Sequence, residues 1–190
     1  FSAEPIHGAG GLMFPPDSYW PEIQRICKKY DVLLHLDEVI TGFGRTGRWF
    51  AAQTYDIKPD IMTLAKGISS GYQPISAVAL GQRVGTAIAT ANEELVHGFT
   101  WSGHPVACAV SLKNLEIMER ERLVERVQDD IGPYFQKAVA SLADHPLVGE
   151  VRGKGLLAAI ELVKDKGTRT FFDSEMNVGT MCRNHCFSNG

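Results

Sequence analysis

No uninterrupted apolar run in this sequence of 190 residues approaches the length that crosses a bilayer. No basic, then apolar, leader opens it either, since it begins Phe1-Ser2-Ala3-Glu4-Pro5. A membrane role is therefore not expected. Positive charge is not in excess: 19 Lys and Arg stand against 22 Asp and Glu, a net charge of −3, the opposite of a nucleic-acid footprint. Cysteine is sparse. Only Cys182 and Cys186 of the four lie close together, so neither a disulfide framework nor paired metal-ligand spacing is present. With His185 between them they read as i, i+4 neighbours on a helix, and no metal site is expected. The expected setting is cytoplasmic, with free thiols. There is no P-loop, no internal repeat and no low-complexity tract. An initiator Met is also missing. The first residues read like the end of a strand and Asn189-Gly190 like a helix stop. A fragment lacking both flanks is the expectation.

What is present suits a folded domain, with 44% hydrophobic and 22% charged residues. Ile23, Ile26, Cys27 and Tyr30 fall at i, i+3, i+4 and i+7, one face of a helix. Asp17 or Ser18 is placed to cap it, and Pro21 is tolerated in its first turn. Val32 to Leu36 follows as a near-continuous apolar run, the mark of a strand buried on both faces. Strand, helix, strand from Phe1 to Leu36 is a βαβ unit and implies a parallel sheet in an α/β fold. Ile61–Leu64 and Ser76–Leu80 are further strands, separated by a polar loop from Lys66 to Pro74. Helices are predicted after Pro105, over Leu123–Leu142 and over Asn177–Phe187. Around Pro146 the pattern changes to Val148, Val151 and Leu156–Val163, which alternate with glycines and read as strands.

Gly42-Phe43-Gly44-Arg45-Thr46-Gly47 has the spacing G-x-G-x-x-G after a strand. The charged pair Asp37-Glu38 intervenes where a dinucleotide fingerprint turns straight onto a helix, and Asp60 precedes its strand where the ribose acid should follow one. His7-Gly8-Ala9-Gly10-Gly11 lacks the third glycine at that spacing. Two other residues are better placed to carry chemistry. Asp37 and Lys66 each stand at the carboxyl end of a predicted buried strand, where open α/β sheets place their ligands. Such a pair by itself is more simply read as a salt bridge.

The surrounding residues decide the matter. Leu36-Asp37-Glu38-Val39-Ile40-Thr41-Gly42-Phe43-Gly44-Arg45-Thr46-Gly47 and Pro59-Asp60-Ile61-Met62-Thr63-Leu64-Ala65-Lys66-Gly67 resemble the paired signature of class III aminotransferases. Phe99-Thr100-Trp101-Ser102-Gly103-His104-Pro105 is similar to the family's next motif, and Glu4-Pro5 with its glycine loop to the one before. The four come in family order across the whole chain. The resemblance implies an aspartate-aminotransferase-like fold with pyridoxal 5'-phosphate as cofactor. Residues 1–120 would be part of the large cofactor-binding domain, with a mostly parallel central sheet. Residues 121–190 would be a connecting helix and the start of a small α+β C-terminal domain. Lys66 would form the Schiff base, Asp37 would pair with the pyridine nitrogen and Val39 would pack on the ring. Thr100 would reach the phosphate of a neighbouring subunit's cofactor, which implies a homodimer or homotetramer with shared sites. The family's upstream phosphate loop and ring-stacking aromatic, and its downstream substrate-binding arginine, fall outside the matching stretch.

The implied reaction moves an amino group from an amine donor to a keto acid such as pyruvate. An aminomutase on the same scaffold, or a non-catalytic relative, would be the alternatives. Relatives acting on ornithine or γ-aminobutyrate carry Glu at the position of Ala9 and Gln at that of Ile40. Ala9, Ile40 and the pair Trp49-Phe50 are instead similar to the ω-amine:pyruvate branch, which includes polyamine and β-alanine enzymes. Amine or ω-amino-acid donors are the expectation.

Overall fold

The computed structural model describes residues 1–190. Strand β1 is Ser2–Ala3, helix α1 Tyr19–Lys29 and strand β2 His35–Asp37. A short helix α2 at Ala51–Thr54 leads to strand β3 at Ile61–Leu64 and strand β4 at Ala77–Leu80. These strands form one sheet in the order β1-β2-β3-β4, with β1-β2 and β2-β3 parallel and β3-β4 antiparallel. The expected βαβ unit and mostly parallel sheet are both present.

Three local expectations need correcting. The buried face of α1 is Trp20, Ile23 and Cys27; Ile26 is 36% and Tyr30 64% exposed. Trp20 sets the rotation, because its indole N–H reaches the Pro5 carbonyl at 3.2 Å in the core. Ser18 occupies the N-cap but makes no side-chain capping bond, since its backbone is already helical and only its carbonyl joins the ladder, accepting from the Glu22 N–H. Strand β2 begins at His35, not Val32. Asp31 turns at φ +55° and the Val32 N–H goes back to the Cys27 carbonyl, so Val32 and Leu33 belong to the helix exit and stay about two-fifths exposed.

Pairing and alternation then place the site. Leu36 aligns with Met62, and both share a face with Leu64. That face is packed: Leu34, Leu36, Trp20, Cys27, Ala52 and Ile57 make one cluster, and Leu64, Phe43, Met118 and Val124 the next. Burying side chains as large as Trp20 and Leu36, 1% and 0% exposed, stabilises by about 1.5–3 kcal/mol each. His35, Asp37 and Thr63 take the opposite face, where the His35 ring bridges Ser2 Oγ at 2.7 Å and Thr63 Oγ1 at 3.3 Å across three strands.

Helix α3 spans Gln82–Thr90, and an exposed connection over residues 91–104 leads to helix α4 at Pro105–Arg120. The helix predicted over Leu123–Leu142 is not uniform. Helix α5 at Leu123–Arg126 passes into a π-helical turn at Val127–Ile131, then helix α6 at Gly132–Ala140 and a 3₁₀ turn at Ser141–Asp144. Pro133 has no N–H to give the ladder, and a side chain at Gly132 would collide with the Val127 carbonyl. The backbone absorbs the missing donor by widening one turn, and the bare Gly132 leaves room for the Val127 carbonyl. Strands β5, Val148–Lys154, and β6, Leu157–Leu162, form a separate antiparallel hairpin, and helix α7 is Val178–Asn189.

Candidate active site

Parallel pairing of β2 with β3 sends both strands out of the sheet at the same edge, with Asp37 level with Thr63. Asp37 is the last residue of β2. Lys66 follows the end of β3 by two residues and opens a 3₁₀ turn over Lys66–Ile68. The structure therefore brings the acid and the lysine to neighbouring strand ends, the crevice where open α/β sheets hold small molecules. No ion pair joins them, so the plain salt-bridge reading falls away: the nine ion pairs of the chain involve neither residue.

Asp37 is half-buried and lines a cleft of about 620 Å³ with Glu4, His7, Met13, Phe14 and Tyr19. Its Oδ1 accepts the Val39 N–H at 2.9 Å, which fixes the carboxylate and Val39 relative to each other and leaves Oδ2 without a protein partner. Glu4 organises the near wall. It accepts the Gly8 N–H at 2.9 Å and lies 3.8 Å from His7. Gly8 in turn sits so close to Ile40 that a Cβ there would lie 2.5 Å from its Cδ1. The loop that carries Ala9 is thus packed, through Gly8, against Ile40.

Lys66 is exposed and adopts φ +47°, a left-handed conformation that costs a lysine on the order of 1 kcal/mol. Its amine has no hydrogen-bonded or ionic partner. Thr100 lies elsewhere, in an exposed turn closed by the Ser102 N–H to the Phe99 carbonyl at 2.9 Å, and it does not line the Asp37 cleft. Trp49 and Phe50 pack against the core, Phe50 edge-on to Phe43 at 5.4 Å.

Glu38 was not singled out from sequence, yet it is the most buried ionisable group near the site, 0% exposed. Its Oε1 accepts the Ala52 N–H at 2.6 Å, and its Oε2 accepts the Ala51 N–H at 3.0 Å and the Thr41 hydroxyl at 2.5 Å. A carboxylate on the first amides of α2 is a stabilising arrangement. Burial nevertheless pushes the Glu38 carboxyl above its ordinary range, with the hydrogen bonds from Thr41, Ala52 and Ala51 opposing it. The available signal was the adjacent pair Asp37-Glu38: on a strand end leaving a sheet, two successive acids face opposite ways, one to the cleft and one to the core.

The glycine loop at 42–47 does not open onto a helix. Gly44 and Gly47 take φ +88° and +84° and pack on Val124 and Gln128, and Arg45 gives its carbonyl to the Leu156 N–H at 2.8 Å. It is a joint between the sheet, the π-helical turn and the hairpin, which leaves no pyrophosphate cradle. Cys182 and Cys186 are exposed on α7.

An acid and a lysine thus stand at neighbouring ends of two parallel strands in an α/β fold. Comparison with known proteins makes this specific. Residues 1–187 match the family model for aminotransferase class-III. The putrescine–pyruvate aminotransferase of Pseudomonas aeruginosa is 53% identical over 190 residues, all of this chain and 41% of that protein. A diaminobutyrate–2-oxoglutarate transaminase of Halomonas elongata is 48% identical over 183 residues, 94% of this chain and 39% of that one. Among solved structures, an (S)-enantioselective omega-transaminase from Thermomicrobium roseum superposes with a TM-score of 0.89 at 49% identity, covering 95% of this chain and 40% of that chain. The chain belongs to the class III aminotransferase family. It spans about two-fifths of the length of these relatives.

The family depends on pyridoxal phosphate, and the residues present fit it. The free Asp37 Oδ2 at the cleft wall is an acceptor suited to a protonated ring nitrogen, and Lys66, whose amine is unpartnered, follows the neighbouring strand end by two residues without lining that cleft.

Proposed function

We propose that this chain is the cofactor-binding core of an aminotransferase that moves an amino group from an amine or ω-amino-acid donor to a keto acid, pyruvate. The observation that carries the reading is the arrival of Asp37 and Lys66, neither engaged in an ion pair, at adjacent ends of two parallel strands. When bound, pyridoxal phosphate supplies an electron sink for the carbon that loses its proton.

The chain's own residues then have distinct tasks. Lys66 would hold the cofactor through its amine and, once the donor's amine has displaced it, would carry the proton to and from the reacting carbon as a free neutral amine; arginine could not serve. Asp37 accepts the hydrogen bond from the ring nitrogen and keeps that nitrogen protonated. Val39, tied to Asp37 through its own N–H, packs on the ring face. Thr100 completes the phosphate site of a partner subunit. Its turn sits between Phe99 and Trp101, 75% and 79% exposed, apolar surface that supports burial against a second copy in a dimer or tetramer. Residues 121–190 are read as the connecting helix and the start of a second domain, in keeping with the separate β5-β6 hairpin. A cytoplasmic setting goes with the four free cysteines.

For the substrate, Ala9 and Ile40 put small and apolar groups where a carboxylate and an amide would otherwise stand, which favours amine-bearing side chains. The 53% identical relative named for putrescine and pyruvate supports the same choice. The test is a donor panel on the full-length enzyme, comparing kcat/KM for putrescine, β-alanine and an aryl amine with pyruvate against ornithine with 2-oxoglutarate. Putrescine or β-alanine should lead. A clear preference for ornithine with 2-oxoglutarate would overturn the substrate assignment, and unchanged turnover in Lys66→Ala would overturn the reaction.

A further inference from the structure

We propose that Asn114 is a positioning residue for Lys66, setting the direction in which the lysine leaves the sheet. This rests on the reading of Lys66 as the covalent anchor. The Lys66 side chain makes no hydrogen bond or ion pair that could orient it, so its placement depends on its backbone. That backbone is in the left-handed region, and the turn behind it is weakly closed: the Ile68 N–H reaches the Ala65 carbonyl at 3.2 Å and the Ser69 N–H the Lys66 carbonyl at 3.3 Å. Something outside the turn must hold it.

Asn114, half-buried in the middle of the 16-residue α4, supplies that hold. Its Nδ2 donates to the Gly67 carbonyl at 3.0 Å and to the Ile68 carbonyl at 3.1 Å, while its Oδ1 accepts the Ser70 hydroxyl at 2.8 Å. The amide orientation is dictated by these partners, since two carbonyls can accept only from the NH₂ side. From the other side Phe43 presses on Gly67, where an added Cβ would lie 2.7 Å from the Phe43 Cβ. The peptide planes carrying the Gly67 and Ile68 carbonyls, one and two residues beyond Lys66, are therefore held by an amide borne on a long helix, with Gly67 itself packed against Phe43. A change at Asn114 rotates those planes and swings the lysine, although Asn114 touches neither the lysine side chain nor the cleft around Asp37.

Asn114→Asp in the full-length enzyme tests this, because it keeps the acceptor for Ser70 and turns the donor facing two carbonyls into a repelling oxygen. Without cofactor, amide hydrogen exchange over residues 66–70 should accelerate about tenfold while residues 105–120 keep their protection. With cofactor, borohydride trapping on Lys66, mapped by peptide mass, should slow. In parallel kcat should fall about tenfold with the KM for the amine donor nearly unchanged. Should Asn114→Asp not fold, Asn114→Ser, shorter and uncharged, carries the same expectation. Unaltered exchange at 66–70, or trapping and kcat equal to those of the unmutated enzyme, overturns the proposal. Failure of the unmutated enzyme to label at Lys66 overturns instead the anchor assignment beneath it.

Discussion

Replacing Glu38 tests whether a buried acid, and not only the cleft residues, holds the site together. In Glu38→Gln the amide oxygen is best placed at the Oε2 position, where it keeps Ala51 and Thr41. The NH₂ then faces the Ala52 N–H, which now lies 2.6 Å from an oxygen. One charge-assisted bond is lost and two buried donors, the new NH₂ and the Ala52 N–H, are left facing each other, worth about 2–4 kcal/mol before offsets. Removing a charge that burial disfavours returns part of this, so a net loss of about 1–3 kcal/mol is expected. Glu38→Ala strands all three donors and opens a void, and should cost about 3–5 kcal/mol. Urea unfolding of the full-length protein, monitored by tryptophan fluorescence through the buried Trp20, would measure both. The sign of the pH effect follows from the raised carboxyl. The folded form binds its proton more readily than the unfolded chain, so this group's contribution is fully present below the ordinary carboxylate range and is lost as pH rises through the higher folded value. Glu38→Gln should flatten that part of the profile. A loss below about 0.5 kcal/mol in Glu38→Ala would refute the reasoning.

Asp37→Asn should leave the fold intact, since only the Val39 N–H depends on the carboxylate, yet cost several kcal/mol of transition-state stabilisation, about a hundredfold or more in kcat; unchanged kinetics and cofactor spectrum would make the acid structural. Gly67→Ala should disturb the Lys66 turn through its contact with Phe43, at about 1–3 kcal/mol in stability, and a melting temperature unchanged by the substitution would argue that Phe43 gives way. If Thr100 serves a partner's phosphate site, light scattering should find at least a dimer, and Thr100→Ala should weaken cofactor binding without dissociating it; an active monomer would end that reading.

What the sequence made legible and what it hid divide along a physical line. Period-2 and period-3.6 patterns, and the order in which they come, report faces and connections, so the parallel sheet, α4 and α7 could be anticipated. Asp37 and Lys66 stand just past apolar runs, a local property that marks their positions, but their roles come from the resemblance of the motifs around them. Hydrogen bonds across the fold are not local. Asn114 reads as one polar residue on an amphipathic helix, 47 positions from the Gly67 carbonyl it holds. Glu38 reads as a surface charge until α2 folds its amides over it. The face of α1 went astray because Trp20, at the edge of the predicted helix, carries more buried surface than Tyr30 and captures the rotation by bonding to Pro5. The π turn could have been foreseen from Gly132-Pro133, since a missing donor inside a long helix must be absorbed somewhere. The residues proposed to touch a ligand, Asp37 and Lys66, sit at or just beyond strand ends, positions that can be read in one dimension. Those that hold them in place act through backbone carbonyls and amides, whose partners are chosen only when distant segments meet.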